Sequence, residues 1–526
     1  MDNFSKFIQL HFKISLLFFG IGLFFGIVYS INLLGFAIDS QTLVPANIRS
    51  VHISLMLYGF ITLMLSLLPF LLINKEVGSS DDGLHYLNLF CIFWYIFLVY
   101  MIVSLLFGNS RGLAFYDFAY PLNFILAIAG VFYAIALYKF IKLYQVIPTW
   151  VKVSFRVVLI SPIALLILMN PIIGQVESTV SGPHGDNTLG MSLALIPIYY
   201  LIIKLLNKET FKARWNILWI IPTIFYFGSV LYRTFLHALS YNQEWFLQYL
   251  TLLYIPLLYR WYKDSDIKGF SNKALLTSIV AFLFVDIEGN ILFIPELRWL
   301  FHRNDLVIAH AHVAMAIGLF FMIAAMFAKY FEPLKKTSFY FYYLLGILGI
   351  FTVLTLSGLA QAGVFTLSTY LLWVYRTIFG FVVFFSLSAF VSFDLKRLSK
   401  LQIYNLAGVL NDGLGGIFLI FLSSYLYPKI GFSFSGGYEY IVFTFVAMTG
   451  VIHLMAFYYE EHTKILTNLS VVIRIFISSM FFALYMSQTL GIEALFICLF
   501  DLLFASFYLI FLNKKRVERR IVLWQD

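Results

Sequence analysis

Histidine is the side chain in this 526-residue sequence best suited to hold a metal at neutral pH, and its ten copies are unevenly placed. His310 and His312 are separated by one alanine. Residues two apart on an α-helix differ by about 200° around its axis. Their imidazoles therefore point to opposite sides of one helix. They cannot close on a single ion, but each can hold an iron on its own side. His52 stands three residues after Arg49, His237 follows Phe235-Leu236, and His184 precedes Gly185-Asp186-Asn187. Glu288-Gly289 lies twenty-two residues before His310. The chemistry these types offer is ligation of a metal or a haem, with carboxylates at hand for protons.

The elements that must position them follow from composition. Hydrophobic residues make up 61% of the chain and charged residues 12%, against about 25% charged in a soluble domain. The apolar stretches run to roughly 20 residues each, the length of a membrane-crossing helix, and no alternation of the kind a membrane β-barrel needs is present. An all-α polytopic membrane protein is expected. About sixteen spans can be counted, with no soluble domain. The segment 400–404 divides an N-terminal region of twelve spans (1–400) from about four further C-terminal ones (401–526). The first span reads as too long and too evenly apolar for a cleavable signal peptide. Cys91 and Cys498 sit in apolar runs at no metal-ligand or disulfide spacing, and read as small core residues.

Lysine and arginine collect on alternate loops: Lys6 and Lys13, Lys139 and Lys142, Lys204 to Arg214, Arg260 to Lys273, Lys329 to Lys336, Lys396 to Lys400, and Lys514 to Arg520. The other side carries little beyond Arg49, Arg111, Arg298, Arg303 and Lys429. This asymmetry predicts cytoplasmic termini and accounts for the formal net charge of +9 without a nucleic-acid partner. It also sorts the histidines. His11, His85, His462 and His453 fall at or toward the inner side and read as structural or solvated. His52, His184, His237, His310 and His312 fall at one depth in the outer half, where polar side chains are costly and usually functional.

The segment Asp305-Leu-Val-Ile-Ala-His310-Ala-His312-Val resembles the tenth-helix His-x-His of the catalytic subunit of the haem–copper oxidase and nitric oxide reductase superfamily. Arg49-Ser-Val-His52, followed by Tyr58-Gly59, resembles the Arg-x-x-His of its C-family (cbb3-like) oxidases. Glu288-Gly289 is similar to their Glu-Gly, and Arg376 to a family arginine. The resemblance covers about residues 45–395 and implies a twelve-helix core with two b-type haems. His52 and His312 would be the axial ligands of a low-spin haem, with Arg49 beside it, and His310 the axial ligand of a high-spin haem. Glu288 would deliver protons. His302 and Asp305 are candidates near the haem propionates. A bis-His haem is an electron relay, while a haem with one histidine leaves a face open for a diatomic gas. A Ca²⁺ ion is a further cofactor that the resemblance allows.

The second metal is where the pattern departs. The family takes one histidine from helix 6 and an adjacent pair from helix 7, whereas this chain offers only His237 in the latter. Gly185-Asp186-Asn187-Thr188-Leu189-Gly190 aligns with a Gly-His-Asn-x-x-Gly, which puts Asp186 at the ligand position, with His184 two residues earlier as the alternative. Asp186 also suits a helix N-cap. A carboxylate ligand favours iron over copper. Tyr226 and Tyr232 do not fall at the offset of the redox-active tyrosine of the oxidases. The expectation is therefore a non-haem Fe (or Cu) bound by His237 and Asp186 or His184. The expected reaction is reduction of NO to N₂O in denitrifying respiration, with reduction of O₂ to water and proton translocation as the alternative. A transporter without haem would explain the spans but not the histidine pattern. No Cys-x-x-Cys-His is present, so electrons would come from a cytochrome c subunit or a quinol, in a bacterial inner membrane.

Overall fold

The computed structural model describes residues 2–36, 42–112, 116–168, 170, 185–208, 211, 213–301, 304–390, 398–429, 433–459 and 461–512. It is all-helical, with no β-strand among the described residues, and 13 helices are long and apolar enough to cross a membrane. The chain forms two compact units: Met1–Ala37 with Val44–Val391, and Ile38–Leu43 with Ser392–Asp526.

The larger unit holds nine of those helices: α1 (Asn3–Leu33), α2 (Pro45–Val77), α3 (Asp81–Leu106), α4 (Leu122–Ile141), α5 (Thr149–Ile167), α10 (Gly269–Leu292), α11 (Asp305–Phe327), α12 (Thr337–Gln361) and α13 (Thr369–Phe390). Between α5 and α10 the pattern weakens. Helices α6 (Gly185–Leu206) and α7 (Ile217–Phe235) contain only shorter apolar stretches. The expected eighth span is broken into α8 (Tyr241–Tyr249), a 3₁₀ turn (Leu250–Leu253) and α9 (Tyr254–Lys263). Pro256 lacks the N–H that would bond to Leu252 across that turn, and Gln243, Glu244 and Gln248 make α8 too polar for a simple span. The smaller unit is built from α14 (Lys400–Lys429), α15 (Gly437–Tyr458), α16 (Thr463–Met486) and α17 (Ile492–Leu512).

Helices in lipid have little hydrophobic force between them, so close approach through small residues matters. A Cβ on Gly349 would meet the Phe379 ring at 2.3 Å, and one on Gly358 the Leu306 nitrogen at 2.5 Å. These contacts set α12 against α13 and α11. In the smaller unit, a Cβ on Gly450 would come within 2.1 Å of the Gly413 nitrogen.

Two widened, π-helical segments shape the larger unit. One covers Leu55–Thr62, directly after His52 on α2, and the other Val313–Leu319, directly after His312 on α11. Widening disturbs the regular helix bonding, and the affected carbonyls need donors. Trp94 Nε1 donates to the Tyr58 carbonyl (2.9 Å) and Ser15 Oγ to that of Gly59 (2.6 Å). Tyr343 donates to Ala316 (2.9 Å) and Ser278 to Gly318 (2.6 Å). These donors come from α1, α3, α10 and α12, so neighbouring helices stabilise both segments.

Gly450→Val should lower thermal stability, because backbone rather than a flexible side chain blocks the added atoms; overpacking of this kind costs about 1–3 kcal/mol. Unfolding of the detergent-solubilised protein followed by circular dichroism measures it. An unchanged midpoint would show that α14 and α15 do not cross this closely.

Candidate functional site

His52 lies on the first turns of α2, with its ring against α1. Its Nδ1 is 2.8 Å from the Gly22 carbonyl. A carbonyl can only accept, so Nδ1 carries the proton and Nε2 is left with a free lone pair. Gly26 makes this placement feasible: a Cβ there would sit 2.7 Å from His52 Nδ1 and Cε1. His312 reaches the same state on α11, where Nδ1 donates to the Ile308 carbonyl one turn earlier (2.8 Å). His52 and Arg376 are both within electrostatic reach of His312. The structure thus brings together two imidazoles from different helices, each with Nε2 available as an axial ligand.

Arg376, on α13, stands beside them. Its Nε donates to Ser30 Oγ (2.9 Å), while its Nη2 is buried without a hydrogen-bond partner. An orphaned guanidinium nitrogen is costly unless an anion meets it, and a haem propionate would do so. Asp305 is buried and occupied otherwise: its Oδ2 accepts from Ser357 (2.6 Å), Trp373 (2.9 Å) and Gln361 (3.0 Å). It pins the start of α11 to α12 and α13. Arg49 is one turn before His52 and exposed. His302 lies outside the described residues.

His310 turns to the other side of α11, as the spacing requires. Its Nδ1 is 3.3 Å from Glu288 Oε2 on α10, with both side chains largely buried. Glu288 therefore meets the ring of His310 directly, a position that orients the imidazole and raises its basicity as a ligand. His310 also lines a cavity of about 260 Å³ with Ser192, Tyr199, Phe282, Asp286 and Gly289. The wall is mostly apolar, as a small gas needs, with few polar groups.

Asp286 was not anticipated as a site residue. It is two residues before Glu288, so it occupies a different face of α10. It is 6% exposed, and its Oδ2 has no hydrogen-bond partner. Beside it, Thr251 Oγ1 donates to the Gln248 carbonyl (2.9 Å) and accepts from Asn290 Nδ2 (3.1 Å). The only sequence signal was a second carboxylate inside a span, beside the more recognisable Glu-Gly.

Of the expected second-metal ligands, His237 is the one whose side chain is among the described residues. His237 lies beyond the end of α7 and is exposed. Its Nε2 is 2.9 Å from the Tyr232 hydroxyl and its Nδ1 2.9 Å from the Ala238 carbonyl. Asp186 sits in the first turn of α6, and His184 lies outside the described residues. Among the described residues, no three His, Cys, Asp or Glu side chains converge as a metal site. The described residues thus fit haem at His52, His312 and His310. Of the remaining histidines, His85 and His462 are exposed, whereas His11 is buried and bonded to Tyr95 (2.6 Å) and Asn88 (3.1 Å).

Neither a protein-family model nor a curated protein matches the sequence. Among solved structures, the chain is similar to one described as a heme-copper terminal oxidase dimer studied by cryo-electron microscopy. The TM-score is 0.49 at 10% identity, covering 74% of this chain and 83% of that one. A likeness at that score and identity assigns neither family nor activity.

Gly26→Val should displace the His52 ring while leaving both histidines of α11 in place. The purified variant is expected to lose the optical and EPR signature of a bis-imidazole haem while keeping a high-spin one. An unchanged low-spin signal would contradict the placement of His52.

Proposed function

We propose that this chain is a membrane-bound oxidoreductase of the haem–copper oxidase and nitric oxide reductase type, reducing nitric oxide at a haem held by His310. The observation that carries this reading is the state of three inward histidines. Each gives its Nδ1 to a fixed acceptor, two of them lie within electrostatic reach of one another, and the third lines a mostly apolar cavity. When bound, a haem between His52 and His312 would supply one-electron transfer, and one on His310 would supply an open coordination face. The residues of the chain do the rest. Glu288 orients His310, the apolar wall admits a small uncharged substrate, and Asp286 Oδ2 can hold a proton at the cavity surface. Arg376 Nη2 offers a partner for a propionate.

The reaction 2NO + 2e⁻ + 2H⁺ → N₂O + H₂O consumes protons, which suits a carboxylate on the cavity wall. It requires no redox-active tyrosine. Tyr199, the tyrosine in that wall, is engaged with Ser278 (2.9 Å). A harder metal site built on Asp186 would match the same chemistry. Electrons would enter from a c-type cytochrome subunit or a quinol, with the chain in a bacterial inner membrane and both termini cytoplasmic.

Gas uptake by the purified protein, with ascorbate and a mediator as reductant, tests the reading. Rapid NO loss with weak O₂ uptake is expected. Asp286→Asn should slow NO turnover about a hundredfold, the range of a lost proton donor, with haem content unchanged. Brisk four-electron O₂ uptake would make the chain an oxidase instead, and a protein without haem would return it to the transporters.

A further inference from the structure

The smaller unit contains a set of ionisable side chains that the reading above does not use. Arg474 of α16 pairs with Asp412 of α14 and with Asp501 of α17. His453 of α15 stands beside them, with its Nε2 3.7 Å from Asp412 Oδ2. All lie within helices long and apolar enough to span a membrane. Charged groups at such depths mark function more often than packing.

The hydrogen bonds fix where each proton sits. Thr467 Oγ1 donates to the Thr463 carbonyl (2.6 Å). Asn405 Nδ2 donates to the Leu401 carbonyl (2.9 Å) and to Thr467 Oγ1 (2.9 Å). The Leu401 carbonyl can only accept, so the other end of the Asn405 amide is its oxygen. That oxygen lies 2.9 Å from His453 Nδ1 and accepts its proton. A neutral His453 therefore has a bare lone pair at Nε2. This atom has no hydrogen-bond partner, in a residue with 0% exposure, and it faces a carboxylate oxygen. The ring packs directly on the bare Gly408 Cα, where a Cβ would lie 2.4 Å from it.

Charge leads to the same place. Tyr404 and Asn405 from the start of α14, Asp412 further along it and Arg474 from α16 face His453, with Thr467 behind Asn405, Asp501 beyond the Arg474 guanidinium and Tyr508 beyond the Tyr404 ring. Tyr404 donates to the Phe504 carbonyl (3.3 Å) and Tyr508 to Asn468 Oδ1 (2.7 Å), so neither supplies Nε2. One guanidinium against two carboxylates leaves the network one negative charge in an apolar bundle, and burying that charge is unfavourable. Asp412 is in a π-helical segment, Val409–Leu414, a distortion common at functional sites.

We propose that the four C-terminal helices hold one exchangeable proton, bound at His453 Nε2 against Asp412, which makes this unit a proton-binding element of the protein. Binding forms one N–H bond, moves no electrons, and neutralises the network. A sodium ion fits less well, because Arg474 already takes an oxygen of each carboxylate. The proposal does not depend on haem at the other unit.

Solid-state NMR of the full-length protein in lipid vesicles, with ¹⁵N-labelled histidine, tests it. His453→Gln identifies the signal by its loss. Nε2 is expected to gain its proton in a single step as the pH falls from about 8 to about 3, a range wide enough for a buried histidine. Asp501→Asn keeps an oxygen for Arg474 but removes the surplus charge, so the step should then require roughly tenfold more protons. Asp412→Asn predicts the same direction and serves if the first variant does not fold. An Nε2 that keeps one state across that range would overturn the proposal. So would a step unmoved by either change, or one that follows sodium rather than pH.

Discussion

Each inward histidine of the larger unit gives its Nδ1 proton to a fixed acceptor, and the site depends on this constraint. For His52 the acceptor is a carbonyl of the neighbouring helix, for His312 a carbonyl of its own helix, and for His310 the Glu288 carboxylate. A buried imidazole with no assigned tautomer would be a poor ligand and a costly polar group. With Nδ1 engaged, the free lone pair is directed at Nε2, away from the helix that anchors it. Gly22 supplies the acceptor for His52, and Gly26 leaves room for the ring.

The widened segments extend this logic along the chain. They begin just after His52 and His312 and demand donors from the surrounding helices. Ser15, Trp94, Ser278 and Tyr343 provide them, so the polar residues of four other helices are tied to the backbone that carries the ligands. The cavity next to His310 sits where α6, α10 and α11 face one another. Its lining is mostly apolar, with the single unpaired carboxylate oxygen of Asp286 beside it, which is what the proposed reduction of a small uncharged substrate would require.

Much of this was legible in the sequence. Spacing alone placed His310 and His312 on opposite faces, and the hydropathy pattern located all thirteen long apolar helices. The polar eighth segment was read as a continuous span, yet Pro256 and the glutamines break it. Glu288 contacts His310 itself, and its distance along the chain does not show which face of α10 meets α11. Asp286 was missed because an intramembrane carboxylate is conspicuous only once its neighbours are known. His453 reads as structural in the sequence, since a lone histidine carries no sign that Asp412 and Arg474 from two other helices stand beside it, with Asp501 on the far side of the guanidinium. The placement of His237 depends on where α7 ends, which composition does not fix to within a turn.

The central claim is that the larger unit carries two haems in different coordination states. Near-infrared magnetic circular dichroism of the oxidised, purified protein, combined with haem quantification, tests it most directly. The account predicts two b-type haems per chain, one with the charge-transfer band of bis-histidine ligation and one high-spin with a single histidine. A preparation without haem, or with only one coordination state, would contradict it.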